Sequence, residues 1–508
     1  MTDTDFDLKA DTEMNTKHME IRLSPTVRST RSLLFSLAMF AAIPFVSIVA
    51  QAPRTAATDH ERLARAVYAD LVNTNTMDTV GSTTKAARLM AKRFLDAGFP
   101  PEDVQILTPR ADSTKGNLVV RYRGTGGANG PKPLLLLAHI DVVAALRSDW
   151  SRDPFELQEE NGFFYGRGTA DDKAMAAIFV ANLLQYKKDG WKPNRDLILA
   201  LTAAEEGGDN NGAEWLVQEH KSLIDAAYAL NEGGGGTLTG KDMDVKPLFN
   251  SIQAGEKVPE NFTLTVRNSG GHSSVPRPDN AIYSLANALS RLSKFTFPVS
   301  LNPVSRAFFE QTAKVETAAN AAAMRAIVAS PSNPIAAATL SKDPRYASML
   351  RTSCVATKLF GGHANNALPQ TATANVNCRI VPTSSIAETQ ATLARVFADT
   401  SVKISFTTRE REKFPTSNDA INPELMRVAT ALTKSMWGNI PVVPVMSTGA
   451  TDGRYLRAYG IPTYGISGIF SLPGETNAHG RDEKLRTKSF YEGLDFLDKL
   501  VRRLAGGN

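Results

Sequence analysis

Acidic residues and histidines follow directly after apolar runs at four separate places in the chain. The runs and the side chains that follow them are residues 134–137 with His139 and Asp141, residues 197–201 with Glu205 and Glu206, residues 226–230 with Glu232, and residues 461–466 with His479. An all-apolar run of this length predicts a strand buried on both faces of a sheet, and ligands in open α/β sheets bind beyond the carboxyl ends of such strands. The pattern therefore predicts that these side chains meet at one edge of a sheet.

The residue types indicate a metal centre. Imidazole nitrogens and carboxylate oxygens without a nearby cysteine suit Zn²⁺, Co²⁺ or Mn²⁺ and argue against a thiolate zinc site or an iron–sulfur cluster. The set comprises two histidines and four acids: His139, His479, Asp171, Glu205, Glu206 and Glu232. Because one tetrahedral site cannot use so many ligands, we predict two metal ions, zinc first, bridged by one carboxylate and with one acid left as a base. The adjacent Glu205 and Glu206 should diverge, so that one binds metal while the other holds the attacking water.

The motifs around these residues resemble those of a known family, the dinuclear-zinc amidohydrolases and exopeptidases. That family includes glutamate carboxypeptidase, carboxypeptidase S, acetylornithine deacetylase and succinyl-diaminopimelate desuccinylase. The resemblance extends from about residue 60 to 505 and rests on the motifs HID, GRGTADDK, TAAEEGG, GHSSVPRPDNAI, HANNALP and GATDGR, with a final histidine before an acid. The sequence departs from the family pattern at Glu232, which stands in NEGGGG where many relatives have an acid followed by proline or another residue.

The resemblance implies a role for each residue of the centre. His139 and Glu232 would bind one metal ion, Glu206 and His479 would bind the other, and Asp171 would bridge the two. In relatives the peptide bond after the bridging aspartate is cis, so the resemblance also predicts a cis bond between residues 171 and 172.

Further residues around the ions are assigned by the same resemblance. Asp141 would orient His139, Glu205 would be the general base, and His272 would reach the substrate from a lid domain. The mechanism implied is amide hydrolysis in which Glu205 takes a proton from water and passes it to the leaving amine.

An arginine, an asparagine and a turn are candidates for substrate recognition. Arg379 ends a predicted strand and would hold a carboxylate through two hydrogen bonds, and Asn366 would donate to that carboxylate or to the scissile carbonyl. In relatives, the equivalent arginine and asparagine, together with a glycine-threonine turn, hold the substrate carboxylate. That turn corresponds here to the loop that begins at Gly449 and includes Thr451.

The order of predicted elements indicates an α/β fold with an interruption. We predict a doubly wound, mostly parallel-sheet catalytic domain made of residues 54–258 and 407–508, interrupted by a β-α-β-β-α-β lid or dimerisation domain at residues 259–406. The lid elements are predicted at residues 261–267 (strand), 280–292 (helix), 303–329 (helical insertion), 352–360 and 371–380 (strands), 386–397 (helix) and 402–406 (strand). The resemblance implies that this domain covers the metals and mediates a homodimer.

Residues 1–52 have the pattern of a signal peptide. Arg22, Arg28 and Arg31 precede an apolar stretch at residues 33–50 that ends in small residues. We therefore predict a periplasmic or secreted protein. The alternative is a protein anchored by the uncleaved segment, because the length of the stretch reaches the lower limit for a membrane span.

The two cysteines of the chain, Cys354 and Cys378, belong to the two central strands predicted in the lid. If those strands pair antiparallel about a centre near Asn366, the cysteines come opposite one another, within reach of a disulfide. Export would permit the bond, while two buried free thiols would also pack well.

Length, composition and charge limit the classes of function that the chain can have. A chain of 508 residues with 42% hydrophobic residues can bury two or three domain cores. The net charge of +5 is spread along the chain without a basic block, which excludes nucleic acid as the expected partner. We predict a zinc metallopeptidase, a carboxypeptidase or dipeptidase that cleaves short peptides with a free carboxylate. The alternatives are an N-acyl-amino-acid amidohydrolase of the aminoacylase or deacetylase type and, in another class, an inactive periplasmic peptide-binding protein.

Overall fold

The computed structural model describes residues 56–207, 209–406 and 421–507. The predicted signal peptide lies outside the described residues, and so do residues 407–420, where the second catalytic segment is predicted to begin. Within the described ranges, none of the helices combines the length and the hydropathy that a membrane span requires.

Helices make up most of the regular structure of the described residues. The α-helices there are α1 Asp59–Val72, α2 Thr83–Asp96, α3 Lys173–Asp189, α4 Gly212–Glu219, α5 Lys221–Ile224, α6 Ala281–Lys294, α7 Pro303–Thr312, α8 Ala318–Ala329, α9 Pro334–Leu340, α10 Pro344–Leu350, α11 Ile386–Phe397, α12 Pro423–Trp437, α13 Gly453–Ala458 and α14 Thr487–Ala505. Short 3₁₀ helices occur at Pro101–Asp103, Gly127–Asn129 and Arg147–Asp149.

The strands alternate with these helices in the first half of the chain and cluster in its middle. They are β1 Val104–Leu107, β2 Asn117–Tyr122, β3 Leu134–His139, β4 Gln158–Glu160, β5 Phe163–Tyr165, β6 Leu197–Thr202, β7 Tyr228–Asn231, β8 Gly236–Lys241, β9 Asp244–Glu256, β10 Val258–Arg267, β11 Gly271–His272, β12 Ser353–Gly361, β13 Ala367–Leu368, β14 Thr371–Ile380, β15 Lys403–Phe406, β16 Val442–Ser447, β17 Thr463–Gly465, β18 Phe470–Ser471 and β19 Lys484–Arg486.

The largest sheet has ten strands, in the order β1-β2-β6-β3-β7-β17-β9-β8-β18, with β16 paired to β9. Its neighbours β6, β3, β7 and β17 pair in parallel. These four strands correspond to the four apolar runs from which the metal centre is predicted, and their carboxyl ends lie at one edge. The α/β class with a large, mostly parallel sheet is confirmed.

Both faces of the central strands are covered, which explains their uninterrupted apolar sequence. Every residue of β3 and β6 is buried. In β3, Leu134 and Leu136 belong to the core shared with α1, α3 and α14, whereas Leu135 and Leu137 belong to the core shared with α4 and α13. Successive side chains of a strand point to opposite faces, so a strand between two helix layers must be apolar at each position.

A second sheet is antiparallel, with the order β12-β14-β10-β15. Residues of β14 alternate between buried and partly exposed. The buried side chains, Ala372, Ala374, Val376, Cys378 and Ile380, form a separate core with α6 and α11. The strands and helices of this sheet follow the predicted β-α-β-β-α-β order. The domain boundaries and the lid role stay predictions.

The helical insertion consists of four helices, α7 to α10, between α6 and β12 along the chain. The helical insertion predicted at residues 303–329 consists of α7 and α8, and α9 and α10 extend it beyond the predicted range. Buried side chains of these helices, among them Phe308, Phe309 and Met324, belong to the core of the large sheet rather than to that of the second sheet. The insertion therefore packs against the large sheet although its sequence lies between elements of the second.

The two cysteines form a disulfide that joins β12 to β14. Cys354 lies opposite Cys378 in the antiparallel register, so the predicted pairing is confirmed. The register holds from Ser353 to Ala356 and then shifts by one residue before Lys358, at a β-bulge that the sequence did not predict.

Candidate metal centre

The predicted metal ligands come together at the carboxyl edge of the large sheet. Nε2 of His139 lies 3.0 Å from Oδ1 of Asp171 and 3.8 Å from Oε2 of Glu232. On the other side, Nε2 of His479 lies 3.1 Å from Oδ2 of Asp171 and 2.9 Å from Oε2 of Glu206. Asp171 thus presents one oxygen to each histidine, as a carboxylate between two ion positions would.

Among the described residues, two groups of side chains are compact enough to hold an ion. Ligand atoms of His139, Glu205 and Glu232 lie within 4.8 Å of one another, and so do those of His139, Asp171 and Glu206. The first group includes Glu205, which the resemblance assigns as the base rather than as a ligand. Its carboxylate is therefore close enough to act on a water beside an ion at that position.

The electrostatics of the cluster fit divalent cations. Burial, reinforced by neighbouring acids, raises the pKa of Glu205 to about 8 and that of Glu206 to about 7. Burial also raises the pKa of Glu232 well above its usual value. Buried carboxylates this close together repel one another unless positive charge is added. The donor set of imidazoles and carboxylates suits Zn²⁺, Co²⁺ or Mn²⁺, so the residues fit a dinuclear centre.

Asp141 ties together the two loops that carry the ligands. Its Oδ1 and Oδ2 accept hydrogen bonds from the backbone N–H groups of Glu205 and Glu206, at 3.1 and 3.0 Å. Nδ1 of His139 lies 3.1 Å from the backbone oxygen of Asp141 and 3.7 Å from its Oδ1. One side chain therefore fixes the loop after β6 relative to the histidine at the end of β3.

Glu483 is a buried positioning residue that the sequence reasoning missed. Its Oε1 accepts hydrogen bonds from the backbone N–H groups of Ala170 at 2.7 Å and Asp171 at 3.1 Å. Its Oε2 accepts from the N–H of Gly168 at 3.1 Å and forms a buried ion pair with Arg167 at 2.6 Å. The only signal in the sequence is its place four residues after His479. The bond between Asp171 and the next residue is cis, as predicted.

Asp452 is a second buried acid that organises the site. It accepts hydrogen bonds from the hydroxyl of Thr202 at 2.7 Å and from the amide of Asn211 at 2.7 Å. The same Asn211 amide donates to the backbone oxygen of Ala204 at 3.1 Å. Asp452 thereby supports the loop that carries Glu205, whereas the roles predicted within its motif, GATDGR, concern only Gly449 and Thr451.

The turn that contains Gly449 and Thr451 is held from inside the protein. The hydroxyl of Thr451 donates to Oε1 of buried Glu256 at 3.0 Å, and its backbone N–H donates to the other oxygen. Glu256 also pairs with buried Arg457. The N–H of Gly449 donates to the hydroxyl of Ser447 at 3.0 Å. The Thr451 hydroxyl therefore donates its hydrogen bond within the protein, where it stabilises the turn.

Arg379 lies in a group of cations near the junction of the two sheets. Burial and, to a smaller extent, the positive charge of Arg454 lower the pKa of Arg379. Burial and, to a smaller extent, the positive charges of Arg379 and Arg351 lower the pKa of Lys257 to about 8. Within the described part of the chain, the Arg379 side chain has no hydrogen-bond partner. A group of cations with a free guanidinium suits an anionic ligand.

His272 and Asn366 lie beside each other on a small ribbon formed by β11 and β13. His272 pairs with Ala367, is exposed, and its Nδ1 lies 2.8 Å from the hydroxyl of Ser274. The backbone oxygen of Asn366 accepts from the N–H of Ser273 at 2.9 Å. Among the described residues, neither side chain forms a hydrogen bond or ion pair with the predicted ligands.

Comparison with known proteins gives the family. Residues 135–503 match the sequence profile of peptidase family M20/M25/M40. The chain belongs to this family. The resemblance derived from the motifs is confirmed, and the protein is a hydrolase of the M20 family.

Relatives within the M20 family have different named activities. The chain is 27% identical over 385 residues to the N-fatty-acyl-amino acid synthase/hydrolase PM20D1 of Xenopus tropicalis, covering 75% of this chain and 74% of that protein. It is 28% identical to probable carboxypeptidase S-like 2 of Dictyostelium discoideum, covering 76% and 74%. It is 26% identical to human aminoacylase-1, covering 73% and 80%.

Solved structures confirm the M20 fold. The M20 family metallo-carboxypeptidase Sso-CP2 of Sulfolobus solfataricus superposes with a TM-score of 0.62 at 17% identity, over 86% of this chain and 98% of that one. The dipeptidase Dug1p of Saccharomyces cerevisiae superposes with a TM-score of 0.59 at 16% identity, over 88% and 96%. At these identities the likeness concerns the fold alone.

Proposed function

We propose that the protein is a dinuclear metal-dependent exopeptidase that hydrolyses the amide bond of short peptides with a free carboxylate. The observation that carries the proposal is the position of Asp171 between two histidine–glutamate pairs, His139 with Glu232 and His479 with Glu206. The probable carboxypeptidase S-like 2 among its relatives supports this reading.

N-acyl-amino-acid hydrolysis is the second candidate. The names of PM20D1 and aminoacylase-1 support it. Both candidates break the same bond, since in each an amide nitrogen leaves from a carbonyl and the amine side carries a carboxylate. They differ in what occupies the acyl side.

The cofactor we propose is a pair of Zn²⁺ ions. Co²⁺ or Mn²⁺ would also fit the same ligands. When bound, the ions would polarise the scissile carbonyl and acidify a water molecule. The ligands would be His139 and Glu232 for one ion and Glu206 and His479 for the other, with Asp171 as the bridge.

Glu205 would carry the proton. It would accept a proton from the attacking water and donate it to the leaving amine. Asp141 would hold Glu205 in place through the backbone bond described above. His272 would stabilise the developing oxyanion once the second sheet approaches the metal edge.

The substrate carboxylate would bind to Arg379. Asn366 lies beyond the opposite end of β14 from Arg379, so it would donate to the scissile carbonyl once the ribbon that also carries His272 approaches the metal centre. Arg379 has a guanidinium without a partner among the described residues, surrounded by other cations. The turn at Gly449 would approach the carboxylate from the other side. In that turn Thr451 would act through its bond to Glu256, which shapes the turn, rather than through its hydroxyl.

We further propose a homodimer formed through the second sheet, which would be the lid. Strand β12 is an edge of that sheet, and its residues from Val355 to Gly361 are exposed. Val355, Leu359 and Phe360 are each more than half exposed, at 58%, 63% and 63%. An exposed apolar edge strand is a template for pairing with another chain.

The proposed location is the periplasm or the exterior of the cell, reached through a signal peptide at residues 1–52. The alternative is retention by that segment as an anchor. The disulfide between Cys354 and Cys378 supports an oxidising compartment, because such bonds persist there and are rare in the cytosol.

The test is a mass-spectrometric screen of the zinc-loaded mature protein against dipeptides and N-acyl amino acids. We expect release of the carboxyl-terminal amino acid, and we expect amidation of the substrate carboxylate to suppress it. Binding without turnover of either class would instead favour the inactive peptide-binding alternative and overturn the proposal.

A further inference from the structure

A cavity of about 420 Å³ lies between the helical insertion and the second sheet. One wall is α10 with Ser341 before it, and the other is the end of α6, residues 295–297 and residues 351–354; we call it the junction cavity. Its volume is within the range of sites that enclose small molecules. The predicted metal ligands and substrate-binding residues all lie outside its described lining.

Arg351 is the one charged residue in the described lining of the junction cavity. Its Nη2 donates to the hydroxyl of Ser341 at 3.3 Å, while its Nε is buried without a hydrogen-bond partner among the described residues. Burial lowers the pKa of Arg351, and no acid of the described structure opposes this effect. The guanidinium therefore has donors to spare and lacks a counter-charge.

The acid nearest to Arg351 along the chain does not supply that counter-charge. Asp343 forms a two-point ion pair with Arg345, at 2.6 and 3.1 Å. Its Oδ1 also accepts a hydrogen bond from the backbone N–H of Arg345 at 2.8 Å, at the start of α10. The carboxylate that would neutralise Arg351 must then come from a ligand.

Arg351 is anchored at the junction of the two sheets through its backbone. Its carbonyl oxygen accepts a hydrogen bond from Nζ of Lys257 at 2.6 Å. Lys257 is the buried residue between β9 of the large sheet and β10 of the second sheet. The charges of both Arg351 and Arg379 act on it, so the junction is a region of positive potential, which attracts anions.

Two hydroxyls beside Arg351 can supplement its guanidinium. Thr352 and Ser353 both line the junction cavity. The hydroxyl of Thr352 accepts a hydrogen bond from the N–H of Val381 at 3.1 Å, and neither hydroxyl donates one within the described part of the chain. A hydroxyl carries one proton to donate, so both can donate to a carboxylate.

The rest of the lining is largely apolar and includes two aromatic rings. Phe295 and Phe297 lie edge to face, with ring centroids 5.0 Å apart, and both are partly exposed. Leu292 continues this surface on α6, and Pro344 and Ala347 face it from the insertion. A ligand ring that covers these side chains gains free energy from apolar burial and from aromatic packing.

We infer that the junction cavity binds a small aromatic carboxylate, with the carboxylate on Arg351 and the ring against Phe295 and Phe297. The inference adds a binding site that is separate from the metal centre. It depends on the charge and shape of the cavity, and its binding step does not depend on the proposed reaction.

The position of the cavity gives the ligand an effect on turnover. Side chains of α10 belong to the core of the large sheet, and those of α6 belong to the core of the second sheet. A ligand in contact with both walls stabilises the arrangement described here, in which His272 does not contact the metal ligands. Because a ligand favours the state that it binds better, it should lower kcat. This consequence rests on the proposed function.

The first test is calorimetry on the zinc-loaded mature protein with phenylacetate and with phenylacetamide, its neutral analogue of the same shape. We expect phenylacetate to bind at least about tenfold more tightly, because only the carboxylate pairs with the guanidinium. Equal affinities of the two compounds would overturn the inference.

The second test removes the charge with Arg351→Gln, which should weaken phenylacetate binding at least about tenfold. Arg345→Gln is the matched control, because Arg345 lies on the same helix, pairs with Asp343 and does not line the junction cavity. Ala347→Trp, which fills the cavity from α10, serves if Arg351→Gln does not fold. Unchanged binding by either folded variant would place the acid at the metal centre or at Arg379 and overturn the inference.

Initial rates separate this inference from the proposed function. With a dipeptide substrate, phenylacetate should lower kcat of the unchanged protein and of Arg345→Gln but not of Arg351→Gln. A rise in KM alone would show competition at the substrate site and overturn the inference. Binding that depends on Arg351 in a protein that hydrolyses no peptide would support the cavity assignment and overturn the proposed function. Peptide hydrolysis without such binding would overturn the cavity assignment alone.

Discussion

Glu205 and Glu206 are neighbours in sequence with different surroundings. Glu206 contacts His479, with 2.9 Å between Oε2 and Nε2, whereas Glu205 lies with His139 and Glu232. We expect Glu205→Gln to lower kcat by a factor of about 10²–10⁴ while metal content is retained, because the proton acceptor is lost. Glu206→Gln, the matched control, should lose metal. Elemental analysis measures the metal content of both variants, and initial rates measure their kcat. Near-normal turnover by Glu205→Gln would contradict the assignment of Glu205 as the general base.

Glu483 should control metal affinity without binding metal. Glu483→Gln weakens the bonds that hold the loop of Asp171 and leaves Arg167 buried without a full counter-charge. We expect a loss of metal affinity of about 10–100-fold and a fall in the free energy of unfolding of about 3 kcal/mol. Chelator competition and chemical denaturation measure the two effects.

The control is Asp482→Asn, which changes the adjacent acid. Asp482 accepts hydrogen bonds from Ser151 at the surface and does not contact the loop of Asp171. Identical metal affinities for the two variants would show that Glu483 does not position the bridge.

The ligands and the supporting Asp141 could be predicted from the sequence, but Glu483 and Asp452, which also support the ligands, could not. His139, Glu206 and Glu232 follow apolar strands, so their meeting point is a property of a parallel sheet. Glu483 and Asp452 act through bonds to backbone and to distant side chains, which exist only after the loops have folded. A buried acid in a loop has no periodicity that would reveal it.

At the scale of elements, the ribbon of β11 and β13 places His272 beside Asn366 but not in contact with the metal centre. If His272 stabilises the oxyanion, His272→Ala should lower kcat at least about 100-fold while leaving metal content unchanged. His363→Ala is the control, because His363 is also an exposed histidine and lies in the loop between β12 and β13 that carries Asn366. Loss of metal from His272→Ala would show that it is a ligand and would contradict the scheme.

Delivery of His272 by a second chain can be measured in the same system. Mixing His272→Ala with Glu205→Gln under conditions that exchange chains should restore part of the activity if the histidine acts across a dimer. No recovery, with exchange demonstrated by a labelled chain, would place His272 in the same chain as the metals it serves.

Sequence periodicity predicted β10, β14, α6 and α11 well because each of them has one buried face. The alternation along β14 and the apolar stripe of α11 are local signals. The packing of α7 to α10 against the large sheet was not predicted, since an amphipathic helix indicates that it needs a partner surface but not which one. The bulge in β12 was missed for a similar reason, because register depends on both strands.

For the molecule as a whole, stability should depend on pH in a way that metal alters. The folded pKa values of Glu205, Glu206 and His479, about 8, 7 and 9, are all raised above their usual values. A raised folded pKa gives a stabilising contribution that is present at low pH and lost as pH rises through that value. Lys173 and Lys257, whose folded pKa values burial lowers to about 7 and 8, act in the opposite direction above those values. The melting temperature of the metal-free protein should therefore fall from pH 6 to pH 8.

Zinc should reduce this dependence, because it replaces the protons on the cluster with metal charge. Thermal melts of chelated and zinc-loaded protein across that pH range provide the comparison. A metal-free protein whose melting temperature is constant or rises from pH 6 to pH 8 would contradict the electrostatic account of the cluster.

The glycine run after Glu232 has a consequence for how this enzyme can evolve. Side chains at Gly234 and Gly236 would collide with the backbone oxygen of Gly465 and the ring of Phe470, so point mutations there are expected to be rejected. The chain after Glu232 is therefore constrained twice, once by the ligand itself and once by the packing of the backbone that follows it. Selection on either constraint alone would preserve the same stretch of sequence.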